Sequence, residues 1–563
     1  MPKYDWMQLL LFSVLFMGLT PILGNYIANL FTGKAKWAYK SFGWLERLCY
    51  RVAGVNFMEE MTWITYAKAL FLFNIFGFLS IFFLQLVQFY LPLNPQSFPA
   101  PSFSLAFNTA ISFVTNTNWQ AYSGENTLSY LTQMLGLTVQ NFLSAATGMA
   151  ALIALIRGFT RKNSDTIGNF WSDLVRSVVY LLLPLSIVFA IILVCTGVVQ
   201  SFSPYVEITT IENVQQTIPL GPVASQVAIK QLGTNGGGFF GTNSAHPFEN
   251  PSAISNLLEL LAIILIPAAS VYAYGLMIGS KRHAWILYGV MLLFMYAGIA
   301  ISLYAEHMIN PIFGVSPILE GQEVRFGPIN SVLWTVATTA TANGSVNAMI
   351  SSLSPITGGI AMFNIMLGEL IFGGVGVGLA SMIMFVLLTV FLSGLMVGRT
   401  PEYLGKKIEK NEMQWVIFAI LVPASLILIG SGISAVNPNA LSSLTNHGPH
   451  GLSEILYAFT SSAGNNGSAF AGLNANTPYF NWILGGVMGI ARMTIILSSV
   501  AVGGLVARKK ITPPSIGTFS TNSLLFFLLL IAVILIVGAL TFFPALALGP
   551  FVEHLLMLEG KTF

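Results

Sequence analysis

The segment QLGTNGGGFFGTN, residues 231–243, places three consecutive glycines behind a Thr–Asn pair. A hydrophobic core makes no use of consecutive glycines, and a turn needs only one or two. Glycine adopts positive φ without a steric penalty, and asparagine does so more readily than most residues. The segment therefore predicts an irregular backbone whose carbonyl groups can be turned toward a common centre.

The chain as a whole has the composition of a membrane protein. Of its 563 residues, 55% are hydrophobic and 8% are charged, and the mean hydropathy is +0.75, whereas about a quarter of the residues of a soluble domain are charged. An apolar run of about 20 residues crosses a bilayer. Ten such runs predict an all-α polytopic membrane protein with a retained first span, at residues 7–30, 65–91, 128–156, 178–200, 257–279, 285–304, 361–397, 414–434, 482–506 and 522–547.

The basic residues predict the orientation of these spans. Cytoplasmic loops carry an excess of Lys and Arg, and most of the 24 basic residues here fall in alternate loops, while the intervening loops hold mostly acids. This distribution places both termini outside and explains the net charge of +3 by topology, so nucleic-acid binding is not expected. The loops expected inside hold Lys34, Lys36, Lys40, Arg47, Arg51, Arg157, Arg161, Lys162, Arg176, Lys281, Arg282, Arg399, Lys406, Lys407, Lys410, Arg508, Lys509 and Lys510.

Four loop segments share a pattern and predict an internal repeat. Aligned on asparagine, they are SFVTNTNWQAYSG (112–124), KQLGTNGGGFFGTN (230–243), TVATTATANGSVNAM (335–349) and AFTSSAGNNGSAFAG (458–472). One Asn-Gly pair is a common turn, but four clusters at similar spacing, each after a segment able to form a half-membrane helix, predict four helix–pore loop–helix units. The predicted organisation is one membrane domain with an N-terminal helix and loop (1–60), four repeats (61–165, 166–282, 283–410 and 411–512) and a C-terminal helix (513–563).

The four loops offer oxygen ligands to a dehydrated cation. Irregular backbone at membrane depth persists only where protein buries it or where it lines a watery path, and potassium filters replace the hydration shell with carbonyl oxygens. No carboxylate lies in the aligned triplets, which favours a monovalent ion because Ca²⁺ sites usually recruit Asp or Glu. The predicted filter triplets are Thr115, Asn116 and Thr117; Thr234, Asn235 and Gly236; Ala342, Asn343 and Gly344; and Asn465, Asn466 and Gly467.

Longer motifs resemble those of the KdpA family, the potassium-binding subunits of bacterial Kdp transport complexes. They are SFVTNTNWQAYSGE, GTNGGGFFGTNSAHPFENP, LIFGGVGVGL, VGRTPEYLGKKIE and ARMTIILSSVAVGG, and the likeness covers essentially the whole chain. The resemblance implies a pseudo-fourfold, potassium-channel-like fold, K⁺ as the transported ion with no organic cofactor, and a high-affinity ATP-driven uptake complex in the bacterial inner (plasma) membrane. It also implies three partner subunits in that lipid membrane, namely the P-type ATPase KdpB, KdpC and the small KdpF.

The aligned triplets are not identical to one another. Thr117 stands in the first repeat where the others have glycine, and Ala342 stands in the third where others have Thr or Asn. None contains the Gly-Tyr-Gly of ordinary potassium channels. Gln120 and Lys230 flank the first and second triplets, and we expect Lys230 at the edge of a pore helix, paired with an acid such as Glu249.

The seventh span is interrupted by glycines, and the ninth contains an arginine. The glycines could serve helix packing, or the span could break under the filter and obstruct straight passage, as the resemblance to the gating loop of the family implies; such breaks are typical of transport sites. Arg492 could form a structural ion pair with Glu369, or its charge could repel K⁺ below the filter. The resemblance implies a sideways exit of the ion into KdpB. The gate and tunnel candidates are Glu369, Gly373, Gly374, Gly376, Gly378 and Arg492.

The sequence carries no motif for ATP hydrolysis. It has no G-x-x-x-x-G-K-[ST] loop and no aspartyl-phosphate signature, and it supports no catalytic carboxylate pair and no Ser-His-Asp set. We therefore expect a non-catalytic subunit whose concentrative uptake needs an ATP-hydrolysing partner. Two alternatives stay open: an autonomous K⁺ channel or Trk/Ktr-type transporter, and a membrane scaffold whose loops bind a partner or lipid.

Overall fold

The computed structural model describes residues 3–396, 398, 400–513 and 519–561. Within them, ten helices are long and apolar enough to cross a membrane, which confirms the predicted number of spans. Arg399, which contributed to the charge pattern, lies outside the described residues. The ten spans are Trp6–Phe31, Trp63–Tyr90, Thr132–Thr160, Phe170–Cys195, Ala253–Met277, Lys281–Glu306, Val377–Met396, Lys410–Ser434, Pro478–Ala507 and Leu524–Leu558.

Spans two to nine form four units with the same order of elements, as the repeat predicts. Each unit has a long helix, a short helix, an irregular loop and a second long helix. The short helices, here called pore helices, are Phe103–Val114, Val223–Leu232, Gly327–Ala340 and Gly448–Ala463. The exact boundaries of the four repeats stay a prediction.

Burial separates inner from outer helices in the same way in every unit. The second long helix of each unit is 67% to 83% buried over its most apolar part, against 33% to 50% for the first. The first and tenth spans, at 22% each, lie at the periphery. Because the inner helices surround the pore helices and their loops, the most protected part of the molecule is the place where the four loops lie.

The seventh predicted span, 361–397, is two helices rather than one. Pro355–Met366 and Val377–Met396 are separated by residues 367–376. A right-handed helix cannot continue through left-handed residues, because they disrupt the regular i→i−4 hydrogen bonds. The structure therefore confirms the interpretation that this span is a broken helix, and it is not one continuous helix. The residues with positive φ in the break are Gly368 (+81°), Glu369 (+61°), Phe372 (+64°), Gly373 (+63°) and Gly376 (+80°).

Short elements connect the spans. A helix at Lys36–Ala53, here called the amphipathic helix, follows the first span, and one-turn helices lie at Gly124–Thr127 and Pro438–Leu441. Three antiparallel strand pairs join Met61–Thr62 to Thr166–Gly168, Val206–Thr209 to Gln215–Ile218, and Glu402–Tyr403 to Lys406–Lys407. The 3-10 turns are Gln88–Tyr90, Asn243–Ala245 and Ile350–Ser352, and π-helical turns occur within three spans at Thr132–Thr138, Ser177–Leu182 and Ala547–Phe551.

Candidate functional site

The four loops that follow the pore helices meet in one closed ring of hydrogen bonds. In each contact the side-chain amide of a loop asparagine donates to the neighbouring loop or to the pore helix that precedes it, so the position of each loop depends on the others. The contacts run from Asn116 Nδ2 to Thr234 O (2.8 Å), from Asn343 Nδ2 to Lys230 O (3.0 Å), from Asn466 Nδ2 to Thr338 O (2.8 Å) and from Asn465 Nδ2 to Thr117 Oγ1 (2.9 Å). The structure thus brings all four predicted triplets together, and each is buried apart from the half-buried Gly344 and Gly467.

Positive φ alternates along the second, third and fourth loops. The first and third triplet residues are left-handed, with φ of +50° and +85° at Thr234 and Gly236, +48° and +86° at Ala342 and Gly344, and +48° and +96° at Asn465 and Gly467. Alternation of left- and right-handed residues brings successive peptide dipoles onto one side of the chain. The backbone therefore has the conformation needed to present several carbonyl groups in the same direction.

The first loop is shifted by one residue from its alignment on asparagine. Its left-handed residues are Asn116 (+66°) and Asn118 (+55°). The amides of residues 117 and 118 both donate to Ser112 O, just as the amides of residues 235 and 236 both donate to Lys230 O. Residues 116–118 therefore correspond to 234–236, and the alignment of 115–117 with that triplet is wrong by one position. The cause is that Asn118, which tolerates positive φ, stands where the other loops have glycine.

The glycines of the other loops lie against carbonyl groups of a neighbouring loop. A Cβ built on Gly236 would lie 1.8 Å from Asn343 O, one on Gly344 would lie 2.2 Å from Asn466 O, and one on Gly467 would lie 2.0 Å from Thr117 O. No real Cβ approaches an oxygen so closely, so only glycine permits this packing. The glycines therefore hold the loops close enough for their carbonyl groups to share one ring.

The other two glycines of the opening segment serve different neighbours. A Cβ on Gly237 would lie 2.8 Å from Asn118 Cβ, and one on Gly238 would lie 2.5 Å from Glu249 Oε1. Gln120 completes this side of the ring, because its amide both donates to and accepts from the main chain of Gly238, at 3.0 Å in each case. The three consecutive glycines, 236–238, are thus required because each one lies against a different neighbouring residue, with no room for a Cβ.

A buried ion pair lies behind the second loop. Lys230 Nζ contacts Glu249 Oε2, which confirms the predicted pairing, and both side chains are fully buried. The same ammonium group donates to Asn243 Oδ1 at 2.8 Å, and Asn243 Nδ2 donates to Gly236 O at 2.7 Å. Lys230 therefore supports the second loop through Asn243.

The middle carbonyl oxygens of the four loops accept no hydrogen bond from any residue that the structure describes. They belong to Thr117, Asn235, Asn343 and Asn466, each with 0% of its surface exposed. Buried main-chain carbonyl groups nearly always have a partner, and leaving one unsatisfied costs about 1–3 kcal/mol. Four such oxygens in one ring have the chemistry that a dehydrated cation requires.

The break in the seventh span contacts the second loop. Val375 N donates to Thr234 Oγ1 at 2.9 Å, and Gly374 N donates to Glu369 Oε2 at 3.3 Å. Arg492 Nη1 lies 3.9 Å from Glu369 Oε1, and the two side chains are 2% and 1% exposed. The structure therefore joins the predicted gate residues to Thr234 in the second loop and confirms the ion pair.

Gly373 and Gly376 in the break, and Gly378 in the first turn of the helix that follows it, allow the backbone to fold tightly. A Cβ on Gly373 would lie 2.1 Å from Glu369 O, one on Gly378 would lie 1.8 Å from Phe372 O, and one on Gly376 would lie 2.3 Å from Gly148 O in the third span. Helix packing and a broken helix, which the sequence offered as alternatives, thus occur together.

Three contributors to the ring were not found from the sequence. Two of them had a weak signal in the sequence: Asn118 repeats Asn116 two residues later, and Asn243 is the last residue of a second Gly-Thr-Asn motif. Ser144 carried none, since it lies within the third span and donates from Oγ to Asn116 Oδ1 at 2.8 Å. Its part in the ring depends only on tertiary packing.

Comparison with known proteins gives full-length matches. The family model KdpA, described as potassium-transporting ATPase A subunit, matches residues 10–555. A protein named potassium-transporting ATPase potassium-binding subunit from Leptospira interrogans is 54% identical over 561 residues, covering 99% of this chain and 100% of its own. Proteins of that name from Pseudomonas syringae and Rhodospirillum centenum are 50% and 52% identical, with coverage of 98% to 99%.

Among solved structures, the potassium transporter TrkH from Vibrio parahaemolyticus aligns with a TM-score of 0.47 and 13% identity, over 74% of this chain and 83% of that chain.

Proposed function

Because this chain belongs to the KdpA family of potassium-transporting ATPase A subunits, we propose that its four converging loops are the filter at which potassium binds. It is a multi-pass membrane protein and the potassium-binding subunit of a multi-subunit potassium-transporting ATPase. In this proposal the ion sites are 116–118, 234–236, 342–344 and 465–467, and the ATPase chemistry belongs to the partner KdpB.

One observation carries this proposal, namely the four buried middle carbonyl oxygens without a donor. In a potassium filter such oxygens replace the water that the ion gives up. No carboxylate belongs to the ring, and the described residues include no group of three or more His, Cys, Asp or Glu side chains that could hold a metal ion. A neutral oxygen ring suits a monovalent cation better than a divalent one.

The region below the ring supports a gated path. The break at 367–376 touches Thr234, and Arg492 places a guanidinium beside Glu369. A fixed positive charge there opposes straight passage of K⁺ and favours a sideways exit into KdpB. The proposed complex also contains KdpC and KdpF, lies in the bacterial inner membrane, and has both termini of this chain outside. K⁺ then enters the filter from the outer side.

Potassium-dependent stabilisation of the purified full chain tests the filter. A ligand that binds only the folded state stabilises it by about 2.7 kcal/mol at 100 times its Kd. We expect the temperature of thermal unfolding to rise with K⁺ and to respond much less to Na⁺ at equal ionic strength. Equal responses to both salts would contradict a selective filter and favour the scaffold alternative.

Flux through reconstituted vesicles tests the autonomous channel or Trk/Ktr-type alternative. The full chain alone is placed in K⁺-loaded liposomes, and release of the ion is followed with a potassium electrode. We expect no steady release without KdpB, because the ion pair and the broken helix close the straight route. Sustained K⁺-selective release by the lone chain would establish the alternative.

A further inference from the structure

The amphipathic helix Lys36–Ala53 is held to the bundle along one side only. Glu46 lies on that side, where Arg176 Nε donates to its Oε1 at 2.9 Å and the hydroxyl group of Tyr180 donates to its Oε2 at 2.5 Å. The hydroxyl of Tyr39 also donates to Leu30 O at 2.5 Å. These contacts fix which way the helix faces.

The opposite side carries an exposed apolar stripe. Its members are Trp37, Trp44, Leu48 and Val52, which are 63%, 59%, 45% and 80% exposed. Their spacing of seven, four and four residues keeps them on one face of a helix with 3.6 residues per turn. Since the helix begins only a few residues after the first span ends at Phe31, this stripe lies at the level of a membrane surface.

A row of basic side chains runs beside the stripe. Three of its four members directly precede a residue of the stripe in sequence, so they lie about 100° away around the helix. All four are exposed, and none forms an ion pair with a carboxylate among the residues that the structure describes. The row consists of Lys36, Lys40, Arg47 and Arg51.

We propose that the amphipathic helix is a binding surface for anionic phospholipid. The apolar stripe enters the boundary between headgroups and acyl chains, where tryptophan is favoured. The basic row then meets the phosphate and glycerol layer, where each Lys or Arg is attracted to acidic lipids. Amphipathic helices with basic and tryptophan-containing faces bind membrane surfaces in this way.

Charge complementarity and position favour lipid over another protein subunit as the occupant. A protein interface is depleted of lysine at its core, whereas here unpaired basic groups border the whole stripe. The helix also follows directly from a membrane span, so lipid is present at this level in any assembly. The lipid-binding proposal does not depend on the proposed potassium filter, so a test of one does not decide the other.

Quenching of tryptophan fluorescence by brominated lipid tests the proposal. The full chain is reconstituted in vesicles of phosphatidylcholine with phosphatidylglycerol, and either lipid is supplied in brominated form. The chain has 10 tryptophans, so the signal of this surface is isolated by subtracting the Trp37→Phe/Trp44→Phe variant. We expect brominated phosphatidylglycerol to associate about fivefold more strongly than brominated phosphatidylcholine.

Neutralising the basic row should remove this preference. In the Lys36→Gln/Lys40→Gln/Arg47→Gln/Arg51→Gln variant, the ratio of the two lipid association constants should fall to about one, and high salt should lower the ratio for the unaltered chain. Lys281→Gln/Arg282→Gln is the matched control, because these residues are also basic and exposed at the start of a span, and it should keep the preference.

Three outcomes would overturn the proposal. The first is equal quenching by both lipids in the unaltered chain, and the second is a preference that survives neutralisation of the row. The third is loss of quenching when the chain is assembled with its partner subunits, together with crosslinks from residue 37 or 44 to one of them. That result would assign the face to a protein contact.

Discussion

The carbonyl oxygen of Asn343 lies directly against Gly236, 1.8 Å from the position that a Cβ on that glycine would occupy. Replacement of the glycine must therefore move the third loop, and with it one of the four unpaired oxygens. We expect Gly236→Ala to weaken K⁺ binding at least about tenfold, a change of about 1.4 kcal/mol. The measurement is K⁺-dependent thermal stabilisation, with Na⁺ as the comparison ion.

The matched control for this substitution is Gly314→Ala. Gly314 also has positive φ, at +67°, but a Cβ there would have nothing within 4 Å. Both substitutions carry the same kind of backbone strain, and only the first displaces a carbonyl of the ring. Equal loss of K⁺ affinity in the two variants would show that strain, and not the contact with Asn343, controls binding.

Removal of Lys230 should destabilise the protein strongly. Lys230→Met leaves the carboxylate of Glu249 buried without its partner, and breaking a buried pair costs about 3–5 kcal/mol. The double variant Lys230→Met/Glu249→Met removes both charges and should recover most of the lost stability. The measurement is the free energy of unfolding from denaturant titration of the purified chain.

An exposed pair provides the comparison for this effect. Lys561 and Glu559 form an ion pair with side chains 63% and 60% exposed, and such pairs contribute about 0–1 kcal/mol. Lys561→Met should therefore change the free energy of unfolding very little. If the double variant at 230 and 249 were as unstable as the single one, the cost would lie in side-chain packing and not in the unpaired charge.

The sequence was sufficient for the features that depend on local composition. Apolar length identified the spans, glycine and asparagine clusters identified the four loops, and the glycines after Glu369 located the break in the seventh span. What the sequence could not supply depends on tertiary contact. Ser144 reaches the ring from a helix without any motif, and the shift of the first loop by one residue is visible only in the backbone conformation of Asn116 and Asn118.

The contact between Glu60, just before the second span, and Arg161, just after the third span, should depend on pH. Arg161 Nη2 donates to Glu60 Oε1 at 2.7 Å and Thr166 Oγ1 donates to Oε2 at 2.6 Å, and these bonds lower the pKa of Glu60 from 4.5 to about 2. Because the folded pKa lies below the unfolded one, the stabilisation is complete above about pH 4.5 and is lost as the pH falls toward 2. Solvent screening limits it to about 1 kcal/mol.

Glu60→Gln tests this dependence. The variant should lose about 1 kcal/mol or less at pH 7, and its unfolding temperature should approach that of the unaltered chain as the pH is lowered through the range from 4.5 to 2. Glu207→Gln, at an exposed acid without an ion pair among the described residues, should show no such convergence. A difference between Glu60→Gln and the unaltered chain that persists unchanged in acid would contradict the assigned ion pair.

The register of the first loop is open to a direct test, because Asn118 and Thr117 differ in backbone conformation. Asn118 has φ of +55°, whereas Thr117 is not left-handed. A β-branched residue in the left-handed region costs about 1–3 kcal/mol, whereas glycine is free of that penalty. We therefore expect Asn118→Val to lower the free energy of unfolding by about that amount and Asn118→Gly to leave it nearly unchanged.

The unfolding free energies of these variants must be compared in K⁺-free buffer. Under that condition a role of the Asn118 side chain in ion binding does not affect the measured stability. Thr117→Val is the control, since it places the same β-branched residue one position earlier, where the backbone accepts it. That variant loses the hydroxyl, which accepts from Asn465 Nδ2 at 2.9 Å and is hydrogen-bonded to Thr115 Oγ1 at 2.8 Å, a cost of about 1–2 kcal/mol for the two bonds. If Asn118→Val were tolerated while Asn118→Gly destabilised the chain, residue 118 would not be held in the left-handed conformation. The correspondence of residues 116–118 with 234–236 would then fail.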